Sequence, residues 1–475
     1  MIPELYPHQS ELVGRTREAM KRSRRVLMVL PTGGGKTVIF SFIGSRVAGN
    51  GKRVIIQAHR NSIVDQISAT LDRFGVVHGR IQPGHSMTDD LVQVAMVQTL
   101  THRIARVAAP DLIITDEAHH ASANQYKAIL EAWPKARSLG VTATPRRTDG
   151  RGLDECYDEM VIGPQMSWLI ETGFLAKFTY LAPPPAVDMT GINKLRDKSS
   201  VDALADEMDK AVITGDAIEH YREYLGGRPS IAFCVNVKHA ESVAAQFRAA
   251  GCRSQSIDGK MAPDEQRARL AALGGGGLNV LTSCQLIGEG TDIPAVAGVI
   301  LLNPTKSVVN FLQTVGRALR VKADGSEAVI LDHVGNVNVH GMPNAERNWT
   351  LDGKQKGEKI GAATCGKCFR AFMAGPGWKS ANECSEGEPE GCIFLAKDRP
   401  ADIEPSAPEV VPGKLAIVGN VPPWSDGLNI ATARGPDFGE LLRMADTMDK
   451  LKEIGKARGY HWKWAKHQFE ARASA

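Results

Sequence analysis

The chain has 475 residues, a length that argues for about three domains rather than one small module. Lys plus Arg number 57 against 53 for Asp plus Glu; the resulting net charge of +4 excludes a uniformly basic coat, so any nucleic-acid surface must be local. Hydrophobic residues at 43% and charged residues at 23% are globular proportions, which excludes disorder throughout.

The N-terminal MIPELYPHQSELV carries charges and prolines. The first apolar run, Val26 to Leu30, is far shorter than the ~20 residues of a membrane span, so neither a signal peptide nor a membrane partner is expected. The basic run Lys21 to Arg25 suits a solvated helix end better than a localisation signal. From Arg25 to Thr144 short β-rich runs alternate with helical stretches: VLMVL, RVIIQA, VQVAMV, DLIITDE and SLGVTAT. Continuous apolar strands separated by helices predict an α/β fold with a parallel sheet covered on both faces. The pattern returns between about 230 and 332 in SIAFCV, SQSID, LNVLTS, AGVILL and AVILD, which predicts a second such lobe.

Directly after the strand candidate VLMVL and before the next helix stands Pro31-Thr32-Gly33-Gly34-Gly35-Lys36-Thr37. Glycines let backbone N–H groups turn inward around phosphates, Lys36 would reach the β/γ-phosphates, and the Thr37 hydroxyl would hold Mg2+. Leu30 occupies the first glycine position of the longer G-x-x-x-x-G-K-[ST] pattern, so only the shorter T-G-x-G-K-T form is met. The glycine run 274–277 lacks a following Lys-Ser/Thr and reads as a loop. Further on, the apolar strand Ile113-Ile114-Thr115 ends in Asp116-Glu117-Ala118-His119. One of two adjacent carboxylates can anchor Mg2+ while the other polarises the attacking water.

These motifs resemble those of superfamily 2 helicases and translocases of the DEAD/DEAH group, across residues 5 to 335. PTGGGKT is similar to motif I, Asp116 to His119 to motif II, and Thr142-Ala143-Thr144 to motif III. Tyr6-Pro7-His8-Gln9 looks like a Q-like motif, Ala58-His59-Arg60 like motif Ia and Val97-Gln98-Thr99-Leu100 like motif Ib. Gly288 to Pro294 is similar to motif V, and Gln313-Thr314-Val315-Gly316-Arg317-Ala318-Leu319-Arg320 to motif VI. The look is that of phage-borne and restriction-translocase-like helicases, whose second lobe often ends in a stretch like Asp332 to Asn336, and cytoplasmic placement in a bacterial or phage-infected cell goes with it.

The resemblance implies two tandem RecA-like lobes with ATP and Mg2+ in the cleft between them. It assigns catalysis to Lys36, Asp116, Glu117, Arg317 and Arg320, the two arginines reaching across as fingers that place positive charge on the transition state. Nucleotide binding falls to Gln9, Thr32, Gly33, Gly34, Gly35, Lys36, Thr37, Gly290 and Asp292, with Thr37 and Asp116 on magnesium. Coupling falls to His119, Thr142, Thr144 and Gln313. Arg60, Thr99 and Asn236 match positions that touch the nucleic acid, Asn236 only by its place after SIAFCV. The grip is mostly on phosphates, so the motor is expected to be sequence-blind.

The expected organisation is an ATP-binding lobe (1–175), an interlobe linker with helices of its own (176–228), a C-terminal lobe (229–345), a small cysteine-rich module (360–395), a flexible linker rich in Pro, Ala and Gly (396–436) and a basic, aromatic helical tail (437–475). Of eight cysteines, Cys156, Cys234, Cys252 and Cys284 are scattered singly, whereas Cys365, Cys368, Cys384 and Cys392 cluster. Four thiolates would hold tetrahedral Zn2+, although the second pair departs from knuckle spacing, and free cysteines in a Gly-rich loop are the alternative. In the tail, Lys450, Lys452, Lys456, Arg458, Lys463, Lys466 and Arg472 interleave with Tyr460, Trp462, Trp464 and Phe469. That tail suits either nucleic-acid stacking or packing on a lobe.

The expected activity is ATP-driven unwinding of, or movement along, single-stranded, duplex or branched DNA. Competing readings are a duplex translocase without net unwinding, an RNA helicase, and a catalytically inactive nucleic-acid-binding scaffold. No nuclease motif is present, so cleavage would need a nuclease partner; replication or recombination proteins are the other expected associates.

Overall fold

The computed structural model describes residues 4–121, 124–147, 150–183, 217–284 and 295–353, the short pieces 361–364, 371–374 and 449–452, and Ala205 and Thr447 singly. Gly290, Asp292, the four clustered cysteines, the 396–436 linker and nearly all of the tail lie outside the described residues.

In the first lobe, α1 (Pro7–Arg22) starts on a proline preset for the first helical turn and ends on Lys21 and Arg22, which complement the helix dipole. Then follow β1 (Arg25–Val29), α2 (Lys36–Ala48), β2 (Val54–Ala58), α3 (Asn61–Arg73), β3 (Gly79–Ile81), β4 (Val92–Met96), α4 (Val97–Arg103), β5 (Leu112–Asp116), α5 (Asn124–Ala132), β6 (Arg137–Thr142) and β7 (Glu159–Ile162). The seven strands form one parallel sheet in the order β3-β4-β2-β5-β6-β1-β7. Alternate strand residues enter different cores: Val54, Ile56 and Ile114 face one helical layer, and Ile55 and Ile113 face the other. Burial on both faces is why these strands read as unbroken apolar runs.

The second lobe contains α6 (Met166–Glu171), β8 (Phe178–Leu181), β9 (Ser230–Phe233), α7 (Val237–Ala249), β10 (Ser254–Ile257), α8 (Pro263–Gly274), β11 (Val280–Ser283), β12 (Gly298–Leu301), α9 (Val308–Gly316), β13 (Ala328–Asp332) and α10 (Asn336–His340). Its six strands are parallel in the order β10-β11-β9-β12-β13-β8. Ile231, Val299 and Ile330 lie in one core and Ala232, Ile300 and Leu331 in the other. A separate antiparallel pair joins β14 (Gly361–Thr364) to β15 (Ala371–Ala374).

Two α/β lobes with parallel sheets match the sequence expectation, but the lobe limits differ from it. Met166, Leu169 and Leu175, expected in lobe one, bury their side chains in the lobe-two core. Residues 178–181, expected in the linker, form the edge strand β8 because Phe178 to Leu181 pair with Ala328 to Leu331. Past residue 345 the chain does not leave the motor. Trp349 packs against the cores of both lobes, and the Leu351 carbonyl accepts from Leu153 N (2.6 Å) and Asp154 N (3.1 Å) of lobe one. Residues 342–353 therefore strap lobe two onto lobe one. The strap is organised by Arg347, whose guanidinium donates to the carbonyls of His340, Met342, Pro343 and Ala345 at 3.0–3.1 Å.

Among the described residues no helix is long and apolar enough to cross a membrane, and no group of three or more His, Cys, Asp or Glu is placed to hold a metal ion.

Candidate active site

The site is built at the C-terminal edge of the first sheet. There β1 hands over to α2 through Pro31 to Gly35, and β5 ends in the acidic pair. Gly33 and Gly35 adopt φ of +86° and +87°, a region that favours glycine. The loop is also too crowded for side chains. A Cβ on Gly33 would stand 2.6 Å from Leu175, one on Gly34 2.7 Å from Leu30, and one on Gly35 2.5 Å from Gln9. Gln9 is buried, donates from Nε2 to the Gly34 carbonyl (3.2 Å) and accepts at Oε1 from Tyr6 N (3.2 Å), so α1 braces the loop from outside. Lys36 and Thr37 open α2, and Lys36 Nζ lies 3.4 Å from the Leu30 carbonyl.

Lys36, Asp116 and Glu117 share one electrostatic environment. Burial lowers the Lys36 pKa, attraction to Glu117 and Asp116 opposes that shift, and repulsion from Arg317 and Arg320 adds to it. Burial, then repulsion from Glu117, push Asp116 up to about 7, with Lys36 pulling the other way. Asp116 also caps its neighbour, its Oδ1 accepting from Glu117 N at 2.9 Å. Glu117 has φ of +48°, the one positive value at a non-glycine position among the described residues. Bulky residues seldom hold this conformation, and where they do the strain commonly sits at a working site. It turns the chain into a short 3-10 turn, Ala118–His120.

His119 is buried with Nδ1 3.4 Å from Glu117 Oε2 and 3.3 Å from Thr142 Oγ1. Thr142 donates to the Thr144 carbonyl (3.0 Å) and accepts from Thr144 N (3.2 Å). The acidic pair is thus tied to the end of β6 through one imidazole.

Lobe two completes the ring. Gln313, near the end of α9, donates from Nε2 to Glu117 Oε2 at 3.4 Å. Gly316 sits so close to Thr32 that a Cβ there would meet it at 2.7 Å. Arg317 caps α9 and is buried, and the Leu319 carbonyl accepts from Ala176 N at 2.8 Å. Arg317 and Arg320 are near enough for their charges to repel Lys36.

The expected nucleic-acid residues lie elsewhere on the same edges. Arg60 is the N-cap residue of α3, and Thr99 lies on α4, both partly buried. Asn236 accepts from His239 N at 2.8 Å as the N-cap of α7, a structural task that sequence position did not announce. The structure also brings in residues to which the sequence assigned no role of their own: His59, quoted only within its motif, and His120, whose rings meet beside His119, and Arg347 and Trp349 of the strap. Adjacency was the available signal for the histidines, since His59 precedes Arg60 and His120 follows the acidic motif.

Residues 2–147 match the type III restriction enzyme res subunit family, and residues 216–322 match the helicase conserved C-terminal domain. A 51.5 kDa protein of a Lactococcus phage (isolate 7-9) is 33% identical over 347 residues, covering 71% of this chain and 73% of that protein. The putative ATP-dependent helicase IRC3 of Saccharomyces cerevisiae is 27% identical over 71% of this chain, which spans 52% of that relative's length. In fold the chain is similar to the fragment structure of a putative HsdR subunit of a type I restriction enzyme from Vibrio vulnificus, with TM-score 0.55 and 20% identity over 74% of this chain and 68% of that one. The chain belongs to the superfamily 2 helicases and translocases, on the restriction-translocase-like side of that superfamily, and its two lobes are RecA-like.

Proposed function

We propose that this chain is a nucleic-acid-dependent ATPase that converts opening and closing of its two lobes into movement along DNA. The observation that carries the reading is the meeting of the two lobes at this site: Gln313 donates to Glu117, Gly316 sits against Thr32 of the glycine loop, and the charges of Arg317 and Arg320, next in the chain, reach Lys36. A phosphoryl-transfer site needs positive charge around the leaving phosphates and a base beside the attacking water, and this set supplies both.

In this reading the glycine loop and Lys36 hold the β- and γ-phosphates of ATP, and Gln9 faces the adenine. Glu117 orients the attacking water and takes its proton. Arg317 and Arg320 bring charge to the γ-phosphate when the lobes close. Two adjacent carboxylates, one of them buried at the end of β5, are an oxygen donor set that suits a divalent cation. Asp116 and Thr37 would hold Mg2+, which supplies charge neutralisation on the phosphate oxygens. His119 and Thr142 connect the acidic pair to motif III, while Gly290 and Asp292 would complete the nucleotide contacts. Arg60, Thr99 and Asn236 would face the strand. Because each lobe grips phosphates rather than base edges, movement is largely independent of sequence.

Net unwinding and duplex translocation without unwinding are both open to such a motor. The res-subunit match over residues 2–147 favours the second. The test is ATP turnover with single-stranded, duplex and forked DNA and with RNA, paired with strand-displacement and triplex-displacement assays. Stimulation by DNA is expected. Turnover indifferent to every nucleic acid would overturn the proposal.

A further inference from the structure

The parallel strands β2 and β5 are neighbours, with Ile56 opposite Ile114 and Gln57 opposite Thr115, so the loops that follow them emerge side by side. Beneath those loops the strands are locked, since buried Gln57 donates to Thr115 Oγ1 at 2.9 Å. Above the lock, the His59 ring meets the His120 ring at 4.5 Å between centroids, and His120 meets His119 at 4.2 Å. His119 in turn lies 3.4 Å from Glu117 Oε2. At the other end, His59 is bonded to Arg60, and its carbonyl accepts from Gln98 of α4 at 3.5 Å.

We propose that His120, whose ring packs at a tilt against that of His59, is a positioning residue that carries strand occupancy at the Arg60 and Gln98 side of lobe one to Glu117. The inference deepens the function proposed above and rests on it. Close-packed rings cannot compress, so a displacement of the loop after β2 must move the 3-10 turn that carries Glu117. The hydrogen-bonded sheet below cannot share that displacement, which confines it to the loops. The relay is read out as an energetic coupling between the two ends.

That test uses the full chain and measures ATP turnover with and without saturating single-stranded DNA, together with DNA affinity by fluorescence anisotropy and folding by thermal melting. His120→Ala is expected to lower the DNA-stimulated kcat about tenfold, within the usual range of coupling between sites, with basal kcat, KM for ATP and DNA affinity within about twofold of wild type. His120→Phe, which keeps a ring in place, restores most of the stimulation. His59→Ala reproduces the loss, and the double variant is no worse than the poorer single one, because both break the same contact.

A His120→Ala chain stimulated as strongly as wild type overturns the relay and leaves the proposed function standing. So do additive single losses, or equal loss of basal and stimulated turnover in both His120→Ala and His120→Phe. A wild-type chain that DNA does not stimulate overturns the function and the relay together.

Discussion

Gln313 on α9 of lobe two donates to the Glu117 carboxylate of lobe one across 3.4 Å, directly joining the two lobes at the acidic pair. The same carboxylate faces His119 at 3.4 Å, so it is held between the two lobes. Gln313→Ala is expected to lower kcat for ATP about tenfold, or ~1.4 kcal/mol, with KM little changed, since the contact orients the base rather than binding substrate. Steady-state kinetics decide it: a raised KM at unaltered kcat would place Gln313 in ground-state binding instead.

Lys36→Ala and Glu117→Gln are each expected to lower ATP turnover by about 100- to 1000-fold, the cost of removing one charged or hydrogen-bonding group from a preorganised site. They should part company in equilibrium binding of a fluorescent nucleotide. Glu117→Gln retains it and Lys36→Ala loses it. Near-normal turnover in either variant would refute the assigned roles.

Gly35→Ala meets two obstacles, a left-handed φ of +87° and a Cβ only 2.5 Å from Gln9 Nε2. The backbone strain is about 1–2 kcal/mol, and the clash displaces Gln9 from the loop. Gly51 also has positive φ, at +72°, but open space around it. Nucleotide affinity should therefore fall about tenfold in Gly35→Ala and hold in Gly51→Ala, although both lose stability. Equal binding by the two would remove the crowding argument.

Arg347→Ala leaves the four carbonyls that its guanidinium now serves short of a donor in a buried place. The expected loss is about 2–4 kcal/mol in urea unfolding. Burial lowers the Arg347 pKa to about 10, so the side chain stays charged at neutral pH. Trp349→Ala, which removes packing against both lobes, should instead loosen lobe docking, read as a larger radius of gyration in solution scattering. An unchanged radius would show that the strap does not set the lobe spacing.

His333 is buried against His220, with ring centroids 5.2 Å apart, and among the described residues neither of its ring nitrogens has a hydrogen-bond partner. Burial, helped by His220, lowers its pKa to about 3. Below its unfolded value of 6.5 the unfolded chain binds the proton that the folded chain refuses. Its contribution is therefore fully present above pH 6.5 and is lost as pH falls towards 3, by up to about 1.4 kcal/mol per unit. Melting temperatures from pH 7 to pH 4 should fall less steeply in His333→Gln. Parallel curves for the two chains would contradict this.

Much of the molecule was legible before folding because its signals are local. Apolar runs marked β1, β2, β4, β5 and β6 in lobe one and β9, β11, β12 and β13 in lobe two, since strands buried on both faces have no polar alternation to blur them, whereas the polar edge strand β10 was marked only by its place in the alternation of strands and helices. The shorter edge strands β3 and β7 escaped notice, as did β8 behind its neighbouring prolines. Edge strands carry fewer buried residues and so a weaker pattern; the pairing of β8 with β13 depends on chain far away.

The candidate site divides in the same way. PTGGGKT and Asp116-Glu117-Ala118-His119 were legible because the proposed phosphate loop and the proposed acidic pair each make their demands on consecutive residues. Sequence by itself determined these parts, the two-lobed α/β plan and the near-neutral charge balance. Only the tertiary structure decided that Gln313 faces Glu117, that Arg347 pins a strap across the lobes and that His59 touches His120. Each of those is a meeting of groups set by three-dimensional packing, and no spacing along the chain encodes it.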